Sequence, residues 1–437
     1  MHIKTPRHSL IGIGFGPSNI ALAIALKEGG IEKVANSALF IEKQAEFSWH
    51  KHMMMENTHM QISFMKDLVT LNNPKSDFTF INYLHQQNRL ADFINLQTFY
   101  PSRHEFNDYL AWAASHFAQQ TRYGEDVFDV QPIIENQQVV ALQILARDAS
   151  GQIYHRQANN LVVSMGGGAY IPEQFSQLAG ESRIFHSNQY LQEIDLNRKA
   201  KKIAVIGAGQ SAAEIFRDLH GRPEEYEVDL IIRANSIKPS DDSPFVNEIF
   251  NAEFIDYMFS KSKSERESLL REYRQTNYAC PDLPLIEEIY AIFYQQKVRK
   301  SERHNFLPST DIKTVHADQQ GVHLTLINRR TGEQYTRSYD AVILATGYVR
   351  DQYKKLLAPL APYLGDFEVD RHYCIKTNDN FKPKIILQGA CENSHGLSDT
   401  LLSLLAVRSQ EISQRLNESN ISHSIHCANS NVIEEIF

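Results

Sequence analysis

The chain has little of what builds disulfide frameworks or metal sites: 437 residues contain only four cysteines, at positions 280, 374, 391 and 427. None forms a C-x-x-C pair or a zinc-ligand spacing, which excludes a structural zinc module and a dithiol redox motif and makes a reducing, cytoplasmic setting the expectation. His50, His52, His59 and His395 also lack metal-ligand spacing, so no metal is expected. Basic residues do not dominate either. Lys and Arg number 44 against 52 Asp and Glu, a formal net charge of −8, which gives no electrostatic footprint for nucleic acid. No run reaches the roughly 18 consecutive apolar residues of a membrane span. Lys4 and Arg7 precede an apolar stretch from Leu10 to Leu26 that mimics a signal peptide. Glycine, proline and asparagine interrupt it, and no small-x-small cleavage pattern follows, so it is expected to be a buried strand running into a helix. What is present is ordinary globular composition, 42% hydrophobic and 22% charged, in a chain long enough for two or three domains. A small-molecule partner is the default for such a chain.

Glycine is concentrated where it carries meaning. Residues 11–20, "IGIGFGPSNI", place three glycines at alternate positions between a short apolar run and a helix-forming run, yet complete no G-x-G-x-x-G fingerprint. Pro17 and Asn19 stand where the last glycine is sought. Residues 202–216, "KIAVIGAGQSAAEIF", complete the G-x-G-x-x-A form at Gly207, Gly209 and Ala212. Such a strand, turn and helix lets a pyrophosphate approach the backbone at a helix N-terminus. The next strand in each unit ends differently. Glu42 follows Ala38–Ile41 and suits a ribose 2′-hydroxyl, whereas Arg233 follows Val228–Ile232 and suits a 2′-phosphate. FAD is thus expected at the first loop and NADPH at the second. Two further apolar strands, "LVVSMGGG" at 161–168 and "AVILATGY" at 341–348, end in glycine turns where a two-nucleotide flavoprotein crosses between domains.

Residues 60–112, from "MQISFMKDLVTLNNPKSDFTFINYLHQQNRL" to "YPSRHEFNDYLAW", closely resemble the flavin-dependent N-hydroxylating monooxygenases of siderophore biosynthesis. The likeness is strongest to the L-ornithine N5-monooxygenases and extends to L-lysine N6- and diamine hydroxylases. It continues at 233–254, 276–298 and 395–408. The resemblance implies that Gly14, Gly16, Pro17 and Asn19 surround the FAD pyrophosphate, Glu42 its ribose, and Trp49, His50, Met60 and Gln61 the flavin. It places Gly207, Gly209, Gln210, Ser211 and Arg233 on NADPH. Lys66 and Asn247 would grip an amino-acid backbone, Asn277 would sit nearest the amine to be oxidised, and Ser398 beside flavin and substrate, making Asn277 and Ser398 the catalytic candidates. The implied reaction passes through a C4a-hydroperoxyflavin, and the implied assembly is a homo-oligomer. One departure stands out: Ala279-Cys280-Pro281 replaces the small and β-branched residues usual after the "NY" pair in ornithine enzymes. Lysine, putrescine, cadaverine and histamine therefore stay open beside ornithine as substrates.

The expected fold is α/β, with two Rossmann-like dinucleotide-binding domains and a small helical substrate-side element. The FAD domain is expected over 1–197 and 339–437, and the NADPH domain over 198–338, with 243–300 as the helical element. The run "KSKSERESLLREYRQ" reads as a solvated helix face, Asp241 and Asp242 as a turn before a helix, and Met53 to Met55 as core. The tail after Leu416 is polar and expected to be mobile. From the residues alone, a carbon- or sulfur-oxygenating flavoenzyme, a reductase and a non-catalytic nucleotide-binding scaffold remain open.

Overall fold

The computed structural model describes residues 6–417. Cys427 and nearly all of the polar tail lie outside that range, as do the first five residues. The first parallel sheet draws on β1 (Leu10–Ile13), β2 (Ala38–Glu42), β3 (Thr121–Tyr123) and β4 (Asn160–Val163), with a separate sheet of Arg7–His8, Glu125–Glu135, Gln138–Asp148 and Ile153–Ala158 beside it in sequence. The chain crosses to a second unit at β5 (Gly168–Ala169), then lays down β6 (Ile184–His186), β7 (Lys202–Ile206), β8 (Glu227–Ile231), β9 (Asn305–Leu307) and β10 (Ala341–Leu344). It returns at β11 (Tyr348–Val349), which pairs antiparallel with β5, and closes the first sheet with β12 (Lys384–Leu387). The first sheet has the order β12-β4-β1-β2-β3 and the second β6-β10-β7-β8-β9, both entirely parallel. Parallel sheets are covered on both faces. Accordingly β1, β2, β4 and β10 are buried along their whole length and are apolar apart from Glu42 at the end of β2 and Asn160 at the start of β4.

β6 and β10 belong to the second sheet, in register through Ile184↔Val342 and Ile203↔Ala341, so that sheet takes strands from both sides of the 198–338 span. The strands "LVVS" and "AVILA" are therefore the last inner strand of one sheet before the crossing and of the other before the return.

The two glycine turns are built alike. Helix α1 (Pro17–Glu28) follows the first and α2 (Gln210–Gly221) the second. Gly14 (φ +82°) donates its N–H to the Ile41 carbonyl, and an added Cβ would stand 2.4 Å from the Ser164 carbonyl oxygen just after β4. Gly207 (φ +148°) donates to the Ile231 carbonyl, and its Cβ would stand 2.3 Å from the Ala345 carbonyl oxygen just after β10. In both units the missing Cβ lets the neighbouring strand end press against the turn, in a backbone conformation that favours glycine.

Between β8 and β9 lie four helices, α3 (Pro244–Asn247), α4 (Ala252–Ser260), α5 (Lys263–Asn277) and α6 (Leu283–Arg299). They are not one unit. α6 buries Leu285 and Ile289 in the core of the second domain with Phe216 of α2. The α3–α5 portion instead packs Val246, Phe254, Leu270, Tyr273 and Tyr278 around Ile249, Phe250 and Leu397, and so reaches the returning chain. α5 has no buried residue and starts with a Ser262/Glu265 capping box, as a solvated charged helix should. Met53 and Met55 lie in the second domain's core, and Asp241 accepts the Ser243 N–H just before α3. Among the described residues no helix is long and apolar enough to cross a membrane.

Candidate active site

Gly16 and Gly209 are the N-cap residues of α1 and α2, and neither helix has a side-chain cap. Both helix ends thus present backbone N–H groups with no intrahelical partner, the standard setting for a phosphate. Nothing lies within 4 Å of a Cβ built on Gly16, and only Ala279 backbone atoms, at 3.5 Å and beyond, approach one on Gly209. These open cradles fit a pyrophosphate at each turn. Pro17 takes the first helical position, where its missing N–H costs nothing. Asn19, fully buried, donates from Nδ2 to the Gly14 carbonyl at 2.6 Å and accepts from Gln388 at 3.0 Å. The residue that breaks the fingerprint therefore holds the turn closed and ties it to the end of β12. Glu42, at the end of β2, accepts the Phe15 and Gln44 N–H groups at 2.8 and 2.9 Å. A carboxylate has about four acceptor positions, so a ribose hydroxyl fits as well.

Trp49 is held by its N–H on Asn107 Oδ1, with its ring edge-on to His50 and tilted against Phe106. His50 has a left-handed backbone and an exposed side chain, yet dense protein surroundings, with the Arg103 and Arg350 charges, push its pKa down to about 4. A crevice open to solvent but walled by protein has this signature. Met60 is buried.

Gln61 reaches across to the second domain, donating to Asp282 Oδ1 at 2.9 Å. Gln210 joins the same carboxylate, donating to Oδ2 at 3.1 Å and accepting the Asp282 N–H at 2.9 Å. It also donates to Glu214, which forms a two-point ion pair with Arg103 at 2.7 and 2.8 Å. Gln61, Gln210, Arg103, Glu214 and Asp282 thus form one polar seam between the domains. Nothing in the sequence marks Arg103, Glu214 or Asp282 as a site residue: Arg103 closes the "YPSR" stretch, but its partner Glu214 lies 111 positions on. Ser211 is half-buried in the first turn of α2, and Arg233 is exposed just past β8. Arg329 and Arg330 converge on the same 233–235 segment, bonding the Arg233 carbonyl and Asn235.

Lys66 stands in an irregular segment, not on a helix, and is half-buried. Burial lowers its ammonium pKa, and among the described residues it has no carboxylate partner. Asn277, in the last turn of α5, is half-buried with no side-chain partner among the described residues. Asn247 differs: its amide donates to the Asp242 carbonyl at 2.7 Å, a turn-closing role. Ser398 is fully enclosed with its hydroxyl unpartnered, so it does not open onto the seam. Val246, Tyr278 and Leu397, neighbours of Asn247, Asn277 and Ser398, share one apolar cluster, which brings those three backbone positions together. In the departing triplet, Cys280 turns inward, its thiol donating to the Gln275 carbonyl at 2.8 Å, while Ala279 faces Gly209. The change abuts the second glycine loop.

His395, in the "HGLSD" stretch, is buried against Tyr373 with ring centroids 4.2 Å apart. Its Nε2 contacts the Arg371 carbonyl, which only accepts, so Nε2 carries the proton and Nδ1 is an acceptor beside the Ser394 hydroxyl, whose one hydrogen it shares with the Cys391 carbonyl. Burial pushes its pKa from 6.5 down to about 4. The unfolded chain therefore binds the extra proton first: the contribution of neutral His395 is complete above pH 6.5 and is lost as the pH falls toward 4. Up to about 3 kcal/mol is at stake. Urea unfolding at pH 7.5 and 4.5 should show that loss, and His395→Gln should flatten the slope; an equal slope in both proteins would contradict it.

Two doubly wound domains with open, uncapped glycine turns and a polar seam between them define a two-dinucleotide oxidoreductase. The L-lysine 6-monooxygenase/L-ornithine 5-monooxygenase family model matches residues 6–350, and the chain belongs to that family. It is 49% identical over 427 residues to an L-ornithine N(5)-monooxygenase of Pseudomonas aeruginosa, covering 96% of each chain. Among solved structures it resembles the ornithine hydroxylase of Pseudomonas aeruginosa (TM-score 0.91, 50% identity, 95% of this chain and 100% of that one). It also resembles the ornithine N-hydroxylase of Kutzneria sp. 744 (TM-score 0.89, 33% identity, 95% and 100%). The chain is thus a flavin-dependent N-hydroxylating monooxygenase.

Proposed function

We propose that this enzyme uses FAD and NADPH to hydroxylate the side-chain amine of L-ornithine for siderophore assembly. The observation that carries the choice of substrate class is Lys66, a half-buried ammonium with no carboxylate of its own among the described residues. An amino-acid substrate supplies the missing anion; putrescine, cadaverine and histamine do not. Ornithine is preferred to lysine because relatives from Pseudomonas aeruginosa and Burkholderia cepacia, 49% and 45% identical, are ornithine enzymes.

The net reaction converts R–NH2, O2, NADPH and a proton to R–NH–OH, water and NADP+. Bound flavin would relay electrons from NADPH to O2 and activate one oxygen atom of O2 for transfer. The chain's own residues bind and orient. The uncapped N-termini of α1 and α2 hold the pyrophosphates, Asn19 and Gln388 fix the first turn, and Glu42 takes the ribose. Arg233 takes the 2′-phosphate. Lys66 anchors the ornithine carboxylate by a charge-assisted hydrogen bond, and the free amide of Asn277 holds the reacting amine, which must be neutral to act as a nucleophile.

Lys66→Ala should raise the ornithine KM roughly 10- to 100-fold, as expected for losing a hydrogen bond to a charged group. The putrescine KM should stay within about twofold, because no carboxylate contact exists to lose. Equal effects on both amines in a steady-state assay would count against the carboxylate contact.

A further inference from the structure

Asp282 is the N-cap of α6, where an acidic side chain ordinarily accepts the N–H of the second or third helical residue. Here it makes no capping bond, and Pro284 removes one of those donors. Its two oxygens are committed elsewhere: Oδ1 to Gln61 of the first domain and Oδ2 to Gln210 at the start of α2, while its N–H returns to Gln210 Oε1. Oδ1 also accepts a long bond from Ser240 Oγ at 3.5 Å, so the segment after Met60, the second glycine loop, the chain before α3 and the helix that leaves the Ala279-Cys280-Pro281 turn all meet on this one side chain.

We propose that Asp282 is a positioning residue that locks Gln61 and Gln210 together across the domain seam and so fixes the register between the two nucleotide-binding domains. A carboxylate is the suitable group because both glutamine amides present N–H donors to it, and only an acceptor at each oxygen satisfies both. An asparagine can satisfy one and must oppose the other with its own N–H2. Loss of the side chain leaves α6 intact, since no capping bond is lost; it frees Gln61 from the second domain and cuts Gln210 from the carboxylate, leaving Gln210 only its bonds to Glu214 and to the backbone N–H of residue 282. The inference rests on the reading of two nucleotide domains acting on one flavin. It does not depend on which amine is the substrate.

The test uses full-length, FAD-loaded protein without NADPH or amine, and follows backbone hydrogen exchange in wild type, Asp282→Ala and Asp282→Asn. Asp282→Ala should speed exchange roughly tenfold in both the 57–64 and 207–214 segments, with the Leu283–Arg299 helix unchanged, and Asp282→Asn should fall between it and wild type. In a second arm, the rate of flavin reduction by NADPH should drop roughly tenfold in Asp282→Ala while the ornithine KM stays within about twofold. Faster exchange confined to 283–299, or no change at either glutamine segment, would overturn the proposal, as would an unchanged reduction rate.

Discussion

Gly14→Ala should purify colourless, and Gly207→Ala should stay yellow but lose its hold on NADPH. Each substitution drives a Cβ into a carbonyl oxygen, at 2.4 Å from Ser164 and 2.3 Å from Ala345, distances that real Cβ atoms do not tolerate. Each also demands positive φ of an L residue. Neither obstacle is a flexible side chain that could step aside; both are backbone carbonyls just past the end of a buried neighbouring strand. The turn must open, and the helix N-terminus that should meet the pyrophosphate moves with it. Because the turns lie in separate sheets, the losses should separate by cofactor. Flavin absorbance of the purified proteins and NADP+ binding to the yellow one are the measurements. Full FAD in Gly14→Ala, or unchanged NADP+ affinity in Gly207→Ala, would contradict the assignment of the two turns.

Arg408→Ala should cost the first domain about 3–5 kcal/mol, the range for leaving a buried charge without its partner. Arg408 is 2% exposed and belongs to the helix over 405–417. Its Nη1 donates to both the carbonyl and Oδ1 of Asp399, and its Nη2 donates to Ser18 Oγ in the first turn of α1. Asp399, equally buried, accepts the Cys391 N–H on its other oxygen. The pair thereby staples the returning chain that carries Ser398 to the helix that begins at the FAD turn. Urea unfolding followed by flavin release should show domain unfolding and FAD loss shifting together. A loss under about 1 kcal/mol would mean that the pair is more hydrated than its burial implies.

The fold was largely legible in the sequence, for physical reasons. Inner strands of parallel sheets are buried on both faces and cannot hide among polar residues, so Leu10–Ile13, Lys202–Ile206 and Ala341–Leu344 stand out, each followed by a turn that needs glycine. The full membership of the second sheet was not legible. Ile184–His186 is a three-residue strand whose membership in the second sheet depends on pairing with Val342–Leu344, far along the chain. The seam was hidden for the same reason, since Gln61 and Asp282 lie 221 positions apart and neither is unusual in its local context. Asn19 shows the converse: the sequence marked it as a defect, and only the geometry shows its amide bridging Gly14 and Gln388. The lysine with no partner and the asparagine with one, Lys66 and Asn247, could not be told apart by type. Burial and hydrogen bonding separate them.

The central claim, transfer of an oxygen atom to the side-chain amine of ornithine, is tested most directly by product analysis. The FAD-loaded enzyme is supplied with NADPH, O2 and, separately, ornithine, lysine, putrescine, cadaverine and histamine, and hydroxylamine is measured against NADPH consumed. Ornithine should give N5-hydroxyornithine in near-equal proportion to NADPH oxidised, with the carboxylate-free amines far behind. NADPH oxidation that yields hydrogen peroxide and no hydroxylamine from any of the five would contradict the account.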